Sequence, residues 1–377
     1  MNKINFLPGL NSLRFVAATL VITGHAKEHL SELGISWYPD AEVFQQAGNA
    51  VKFFFVLSGF LLTMIAIREL EKTNTIHLRS FYLRRILRIF PLYYAVLIAL
   101  IIINAGINPI LLHKNTLGQP VVEGFLMNAF MLPNLAKAIW PETVGALGLL
   151  WSIGVEEQFY LFFPHLMKFL HKVKYKLIVL ILVFACLFTF FRLVGADVIH
   201  FSPVWRKFIT TLRFDYMLMG SIFSYLIFGT KTFGNSVLSV LNYKAVQLVI
   251  YVVALINIFF NIMPGGFVGG LVEPMFFSII IISVSCTSNR LINFEIKPFS
   301  HWGAISYGMY LLHPFIAYAL RFAFVKVDFV KHTFQTLPDL YPILLVLLTI
   351  ALAHVSYTYY ESRFLRLKDR LSKKIFN

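Results

Sequence analysis

Ten apolar runs constrain this 377-residue chain more than any other feature. They lie near 11–28, 50–68, 89–105, 144–167, 177–194, 208–228, 244–262, 267–287, 302–324 and 340–361. Each approaches the ~20 residues that a helix needs to cross a ~30 Å hydrocarbon core. A bilayer interior offers no water to backbone N–H and C=O groups, so such runs must be helices. The expected fold is therefore all-α, a polytopic membrane protein with about ten transmembrane helices. Composition agrees: 58% of residues are hydrophobic and 14% charged, where soluble domains carry about 25% charge. The stretch EGFLMNAFML at 123–132 is too short to span and reads as an interfacial or re-entrant piece. With no internal repeat, Ser/Gly linker or low-complexity tract, residues 1–377 read as a single integral-membrane domain.

The charge pattern sets a direction. If the N-terminus is cytoplasmic, the segments on that side carry 21 Lys and Arg and the opposite segments carry 10. That bias fits the positive-inside rule with both termini cytoplasmic. It also accounts for the net charge of +15 without nucleic acid. The N-terminal MNKINFLPGLNS has no basic n-region or cleavage site, so the first run is expected to stay as a helix. Cys186 and Cys286 each lie in an apolar run, with no CxxC or Cys/His spacing, so neither a disulfide framework nor a metal site is expected.

Against this apolar background, ionisable residues inside the runs stand out, because each is costly there and generally faces a partner or a cavity. The first run holds Arg14 and His25. Eleven residues turn ~1100°, within about 20° of three full turns, and rise about 16 Å, so both side chains share one helix face. The fourth run, LLWSIGVEEQFYLFFP, holds Glu156 and Glu157 with no basic residue within ten positions. Ser152, Glu156 and Tyr160 align at i, i+4 spacing, while Glu157 points ~100° away. The sixth run adds Arg213 and Asp215, expected partners for the glutamates, and the ninth adds His313. FYLRRILRIFPLYY at 81–94 gathers Arg84, Arg85 and Arg88 beside Arg79. Such a cluster grips anionic lipid headgroups or a polyphosphate ligand, since guanidinium forks match phosphate oxygens. No Walker-type loop or GxGxxG motif accompanies it, which argues against a nucleotide-hydrolysing engine.

Together these segments resemble the acyltransferase family 3, multi-spanning bacterial enzymes that O-acylate surface glycans and some small molecules. The resemblance rests on motifs in order: Arg14 with ten residues before His25, FFFVLSGFLLT at 53–63, Arg85-x-x-Arg88-x-x-Pro91, SIGVEEQFYLFFP at 152–164 and SYGMYLLHP at 306–314. It covers nearly the whole chain and implies ten spans in the bacterial cytoplasmic (inner) membrane. It implies transfer of an acyl group, usually acetyl, from cytoplasmic acetyl-CoA as co-substrate to a hydroxyl on an extracytoplasmic glycan or lipid-linked sugar. In the family, the positions matching His25 and Arg14 are essential, and the motif matching Arg85 and Arg88 lies near the acyl donor. The fused extracytoplasmic hydrolase-like domain of some members is not expected after the last run.

The residues suit that chemistry. Phosphates would sit with Arg79, Arg84, Arg85 and Arg88, with Arg14 holding the inner part of the donor and His25 acting at the thioester as general base. Glu156 or Glu157 could orient the imidazole, as a carboxylate does in a triad. Ser58 and Tyr160 are candidate oxyanion donors, and Arg213, Asp215 and His313 complete the candidate substrate set. Trp140, in the loop at 105–143, is a candidate sugar contact. The rival reading from another class is a proton-coupled secondary transporter or flippase, which also needs intramembrane His, Glu, Arg and Asp. No inverted repeat marks the sequence as a carrier. Within the enzyme class, succinyl or a longer acyl group remains open, as do O-antigen, capsule, exopolysaccharide and peptidoglycan as acceptors.

Overall fold

The structure is a computed structural model that describes residues 7–38, 40–103, 119–141 and 145–376. Among the described residues the regular structure is helical throughout, with no strand. In chain order the helices are α1 (Leu10–Glu32), α2 (Ala47–Thr73), α3 (Leu78–Ile102), α4 (Gln119–Ala129), α5 (Pro133–Ile139), α6 (Trp151–Lys172), α7 (Lys176–Gly195), α8 (Pro203–Thr211) and α9 (Phe214–Phe228). They continue as α10 (Lys231–Leu241), α11 (Lys244–Phe260), α12 (Gly266–Ser285), α13 (Lys297–Ala304), α14 (Ser306–Lys326), α15 (Asp328–Thr336), α16 (Leu340–Ser356) and α17 (Ser362–Phe376).

Six of these are long and apolar enough to cross a membrane: α2, α3, α7, α12, α14 and the run from α16 into α17 over Leu340–Leu371. A seventh crossing results if α10 and α11, bent by 76° at their junction, count as one span. The remaining three expected segments are helical but fall short. Segment 11–28 is α1, whose Arg14, His25, Lys27 and Glu28 dilute its apolar content. Segment 144–167 starts its α-helix only at Trp151, behind a 3₁₀ turn, and carries both glutamates. Segment 208–228 breaks at Arg213, whose φ of 47° ends one helix and leaves α9 only 15 residues. The expected short piece at 123–132 is the end of α4 and the turn into α5.

The chain divides into two compact units, one of residues 1–60 with 223–360 and the other of residues 61–222 with 361–377. In the first, α1 is the central element and packs on α13, α14 and α16. Ala18, Val21, Ile22, Ala26 and Leu30 along it are wholly buried. Its start is pinned where only glycine is comfortable: Gly9 has φ 79° and donates its N–H to Glu295 Oε2 at 2.7 Å. Phe15 then seats between Phe299 and Trp302, each ring centroid 5.0 Å away. A buried polar tie joins α2 and α12, where Lys52 Nζ meets Glu273 Oε2 at 3.0 Å. A carboxylate in an apolar helix needs such a cation.

In the second unit α3 packs on α17, α4 and α6, and α5 packs on α6. The Tyr93 hydroxyl donates to the Asn128 carbonyl at 2.9 Å, satisfying a buried phenol. The Asn134 and Gln158 amides exchange hydrogen bonds of 3.0 and 2.8 Å, and Gly154 lets Pro133 lie against α6. Arg84 bridges to Glu69 Oε2 at 3.1 Å, tying the C-terminal end of α2 to α3.

Candidate active site

In the first unit the polar face of α1 meets α14. His25 Nδ1 lies 2.9 Å from His313 Nε2, and the two rings meet edge to edge, with centroids 5.0 Å apart and only 6° between planes. His313 is wholly buried, and its Nδ1 lies 2.7 Å from the Tyr310 carbonyl oxygen. A carbonyl can only accept, so Nδ1 of His313 carries the hydrogen. A second proton would put a charge on a fully buried ring at high cost. Neutral His313 therefore presents the lone pair of Nε2, and His25 Nδ1–H donates to it. The tautomer of His25 follows, with its basic lone pair on Nε2. Sequence reasoning had offered His313 only as a substrate contact. The pairing joins positions 288 residues apart, and no local pattern announces it.

Arg14 lies half-buried on the same face of α1, nearer its start, and Ser58 is half-buried on α2 in the same unit. An apolar cavity of about 130 Å³ borders another side of α1, lined by Leu13, Val16, Leu20, Phe53, Phe276 and Phe277. It sits ~100° around the helix from the Arg14–His25 stripe, on the helical wheel, and is separate from that polar face.

In the second unit the arginine motif and the glutamate motif come together. The Arg85 guanidinium stacks 4.9 Å over the Tyr160 ring, and the Tyr160 hydroxyl donates to Glu156 Oε2 at 3.0 Å. Among the described residues, the buried Oε1 of Glu157 has no hydrogen-bond partner, an arrangement that calls for a donor. Tyr160 thus spends its hydroxyl hydrogen on a carboxylate rather than holding it ready for an oxyanion.

The sixth-run residues do not serve the glutamates as expected. Asp215, 1% exposed, pairs with Arg192 at 3.2 Å, and Arg192 stacks over Phe188 at 4.8 Å. Arg213 lies over the Tyr216 ring at 5.7 Å. The buried Asp215 carboxylate is compensated where it sits, by the Arg192 guanidinium of α7. Arg192 was missed because it reads as an ordinary charge at a helix end.

Of the arginine cluster, Arg79 and Arg88 are exposed on α3, Arg85 lies over the Tyr160 ring, and Arg84 holds Glu69 and Ser80. Lys368 on α17 pairs with Asp369 at 3.4 Å. Trp140 closes the C-terminal end of α5 and is half-buried.

Residues 7–358 match the family Acyl_transf_3, an acyltransferase domain. Over 172 residues the chain is 31% identical to the peptidoglycan O-acetyltransferase OatA of Listeria monocytogenes, covering 45% of this chain and 25% of that relative. Over 374 residues it is 26% identical to the O-acetyltransferase OatA of Staphylococcus aureus, covering 96% of this chain and 58% of that relative. The chain thus spans less than two thirds of the length of either relative. No solved structure matches it.

Proposed function

The chain belongs to the Acyl_transf_3 family of acyltransferase domains, and from that premise we propose that it moves an acetyl group from acetyl-CoA to a hydroxyl of a cell-envelope glycan. Acetyl is favoured over longer acyl groups because both relatives are named O-acetyltransferases. Peptidoglycan is favoured as acceptor because one of them is named for it. Family membership favours transfer over the transporter reading. In this reading the protein is a single ten-span domain of the bacterial cytoplasmic membrane with both termini inside, so that donor and acceptor arrive from opposite faces.

The observation that carries the chemistry is the imidazole pair of His25 and His313. His25 Nε2 removes the proton of the acceptor hydroxyl as that oxygen attacks the thioester carbon. The new C–O bond forms as the C–S bond breaks, and the leaving thiolate takes the proton back from His25, so the transfer is balanced without another reactant. His313 keeps the imidazole in the correct tautomer throughout, the task a carboxylate performs in a Ser-His-Asp triad. Arg14 holds the donor's inner portion.

The test uses membrane vesicles bearing the folded chain, acetyl-labelled acetyl-CoA and peptidoglycan stripped of its O-acetyl groups. Base-labile label should appear in the glycan. Its absence would remove this donor–acceptor assignment.

The donor's phosphates are assigned to Arg88 and its neighbours. Arg88 is exposed on α3. Arg88→Ala should raise the KM for acetyl-CoA about tenfold, the loss of one charge-assisted hydrogen bond of ~1.5–3 kcal/mol, and leave the KM for acceptor unchanged. Arg85→Ala should also lower kcat, because the Tyr160 ring that bonds Glu156 loses the guanidinium packed over it. Initial rates against each substrate separate these effects. An unaltered donor KM in Arg88→Ala would return the cluster to lipid anchoring.

A further inference from the structure

A polar seam leads away from the imidazole pair to the surface. On α1, His29 lies ~40° and Glu32 ~20° around the helix from His25, so the three share a face and climb about 10 Å. On α14, Ala317 and Arg321 follow His313 within ~80° and climb about 12 Å. The two helices rise side by side, and their polar groups meet at both ends. His25 Nδ1 is 2.9 Å from His313 Nε2 at the bottom, and Arg321 donates to Glu32 Oε2 at 2.6 Å at the top. Between them, the hydroxyl of Tyr341 from α16 lies 3.3 Å from His29 Nδ1. Exposure grades along the seam. His313 and Tyr341 are wholly buried, His25 and His29 half-buried, and the Glu32 and Arg321 side chains are 54% and 53% exposed.

The mouth of the seam carries an aromatic group. Trp37 donates to Asp339 Oδ1 at 2.7 Å, two residues before Tyr341, and its ring lies 4.1 Å from that of Phe44. Tyr38 joins the same group but is 54% exposed. An aromatic group with an exposed ring, tied through Trp37 and Asp339 to the start of the helix that carries Tyr341, together with the carboxylate, guanidinium and imidazole of the seam, has the chemistry that recognises a saccharide. Apolar C–H faces lie on the ring, and hydroxyls find both donors and acceptors. An exposed ion pair contributes at most ~1 kcal/mol to stability, so holding α1 to α14 gives Glu32 and Arg321 little to do.

We propose that the seam from Tyr38, Glu32 and Arg321 down past His29 and Tyr341 binds the polyhydroxylated acceptor and delivers one hydroxyl to His25. The inference rests on the transfer reading above. It adds that the acceptor lies along the upper part of the α1 stripe, while the donor comes from the Arg14 end. Glu32 and Arg321 open from each other to take sugar hydroxyls, and Tyr38 supports the ring outside.

The experiment measures transfer from acetyl-CoA to soluble glycan strands of de-O-acetylated peptidoglycan in the full chain and in Glu32→Gln, Arg321→Ala, Tyr38→Ala and the exchanged pair Glu32→Arg with Arg321→Glu. Each single variant should raise the acceptor KM tenfold or more with the acetyl-CoA KM unchanged, and the exchanged pair should not recover. Acceptor KM values that stay within twofold of the parent would overturn the seam as a binding site. So would full recovery in the exchanged pair, because a mere tie between helices works with either polarity. Tyr38→Ala takes part in no ion pair and keeps the test open should the charge variants fold poorly. A parent chain that transfers no label would instead sink the underlying reaction, and the seam with it.

Discussion

His25→Ala should lose acetyl transfer by about 10²–10⁴-fold in kcat, the usual worth of a positioned general base, with both KM values little changed. The side chain sits half-buried on α1, so its truncation should leave insertion and accumulation at the parent level. The companion variants read the role of His313. His313→Ala leaves His25 Nδ1–H without its acceptor and lets the ring turn or change tautomer, so kcat should fall while substrate affinity stays. His313→Gln offers an amide oxygen near the position of the lost Nε2 and should recover part of the rate. Vesicle assays with labelled acetyl-CoA give all three numbers. Substantial activity in His25→Ala would remove the base assignment, and a Gln variant no better than Ala would reduce His313 to packing.

Gly303→Ala should prevent stable folding. A Cβ at this position of α13 would be driven into the carbonyl oxygen of Asn11 on α1, a backbone atom that cannot swing aside. Overpacking typically costs ~1–3 kcal/mol where side chains can yield, and more where they cannot. Here it acts on α1, the helix that holds Arg14 and His25, so the site would be lost with the fold. Gly48→Ala is the control: nothing lies within 4 Å of its added methyl group, so it should be neutral or slightly stabilising. Detergent-solubilised protein followed by thermal unfolding separates the two. A Gly303→Ala protein that accumulates and melts with the parent would show that α1 and α13 can move apart.

The all-helical, membrane-capable character was legible in the sequence because apolar run length is a local property that the bilayer reads directly. The six qualifying helices overlap the expected runs, with Leu78–Ile102 starting 11 residues before its run and Leu340–Leu371 ending 10 residues after its run. The polar stripe of α1 was legible as well, since helical phase alone puts Arg14 and His25 on one face. Family membership was legible through ordered motifs spread across the chain. What stayed hidden depends on partners distant in sequence. A helix's own periodicity says which face is polar, but the identity of the group opposite is set by tertiary packing. The sequence alone therefore left His313 apart from His25 and gave the glutamates Arg213 and Asp215 as partners. Packing instead sets Arg85 over the Tyr160 ring and supplies Arg192 to Asp215. It also breaks the sixth run at Arg213, a residue whose positive φ no propensity would suggest. Residue type and spacing determined which groups could do chemistry. The tertiary structure decided which of them meet, because a buried charge or imidazole is satisfied by whatever stands within about 3 Å of it, however far away in the chain.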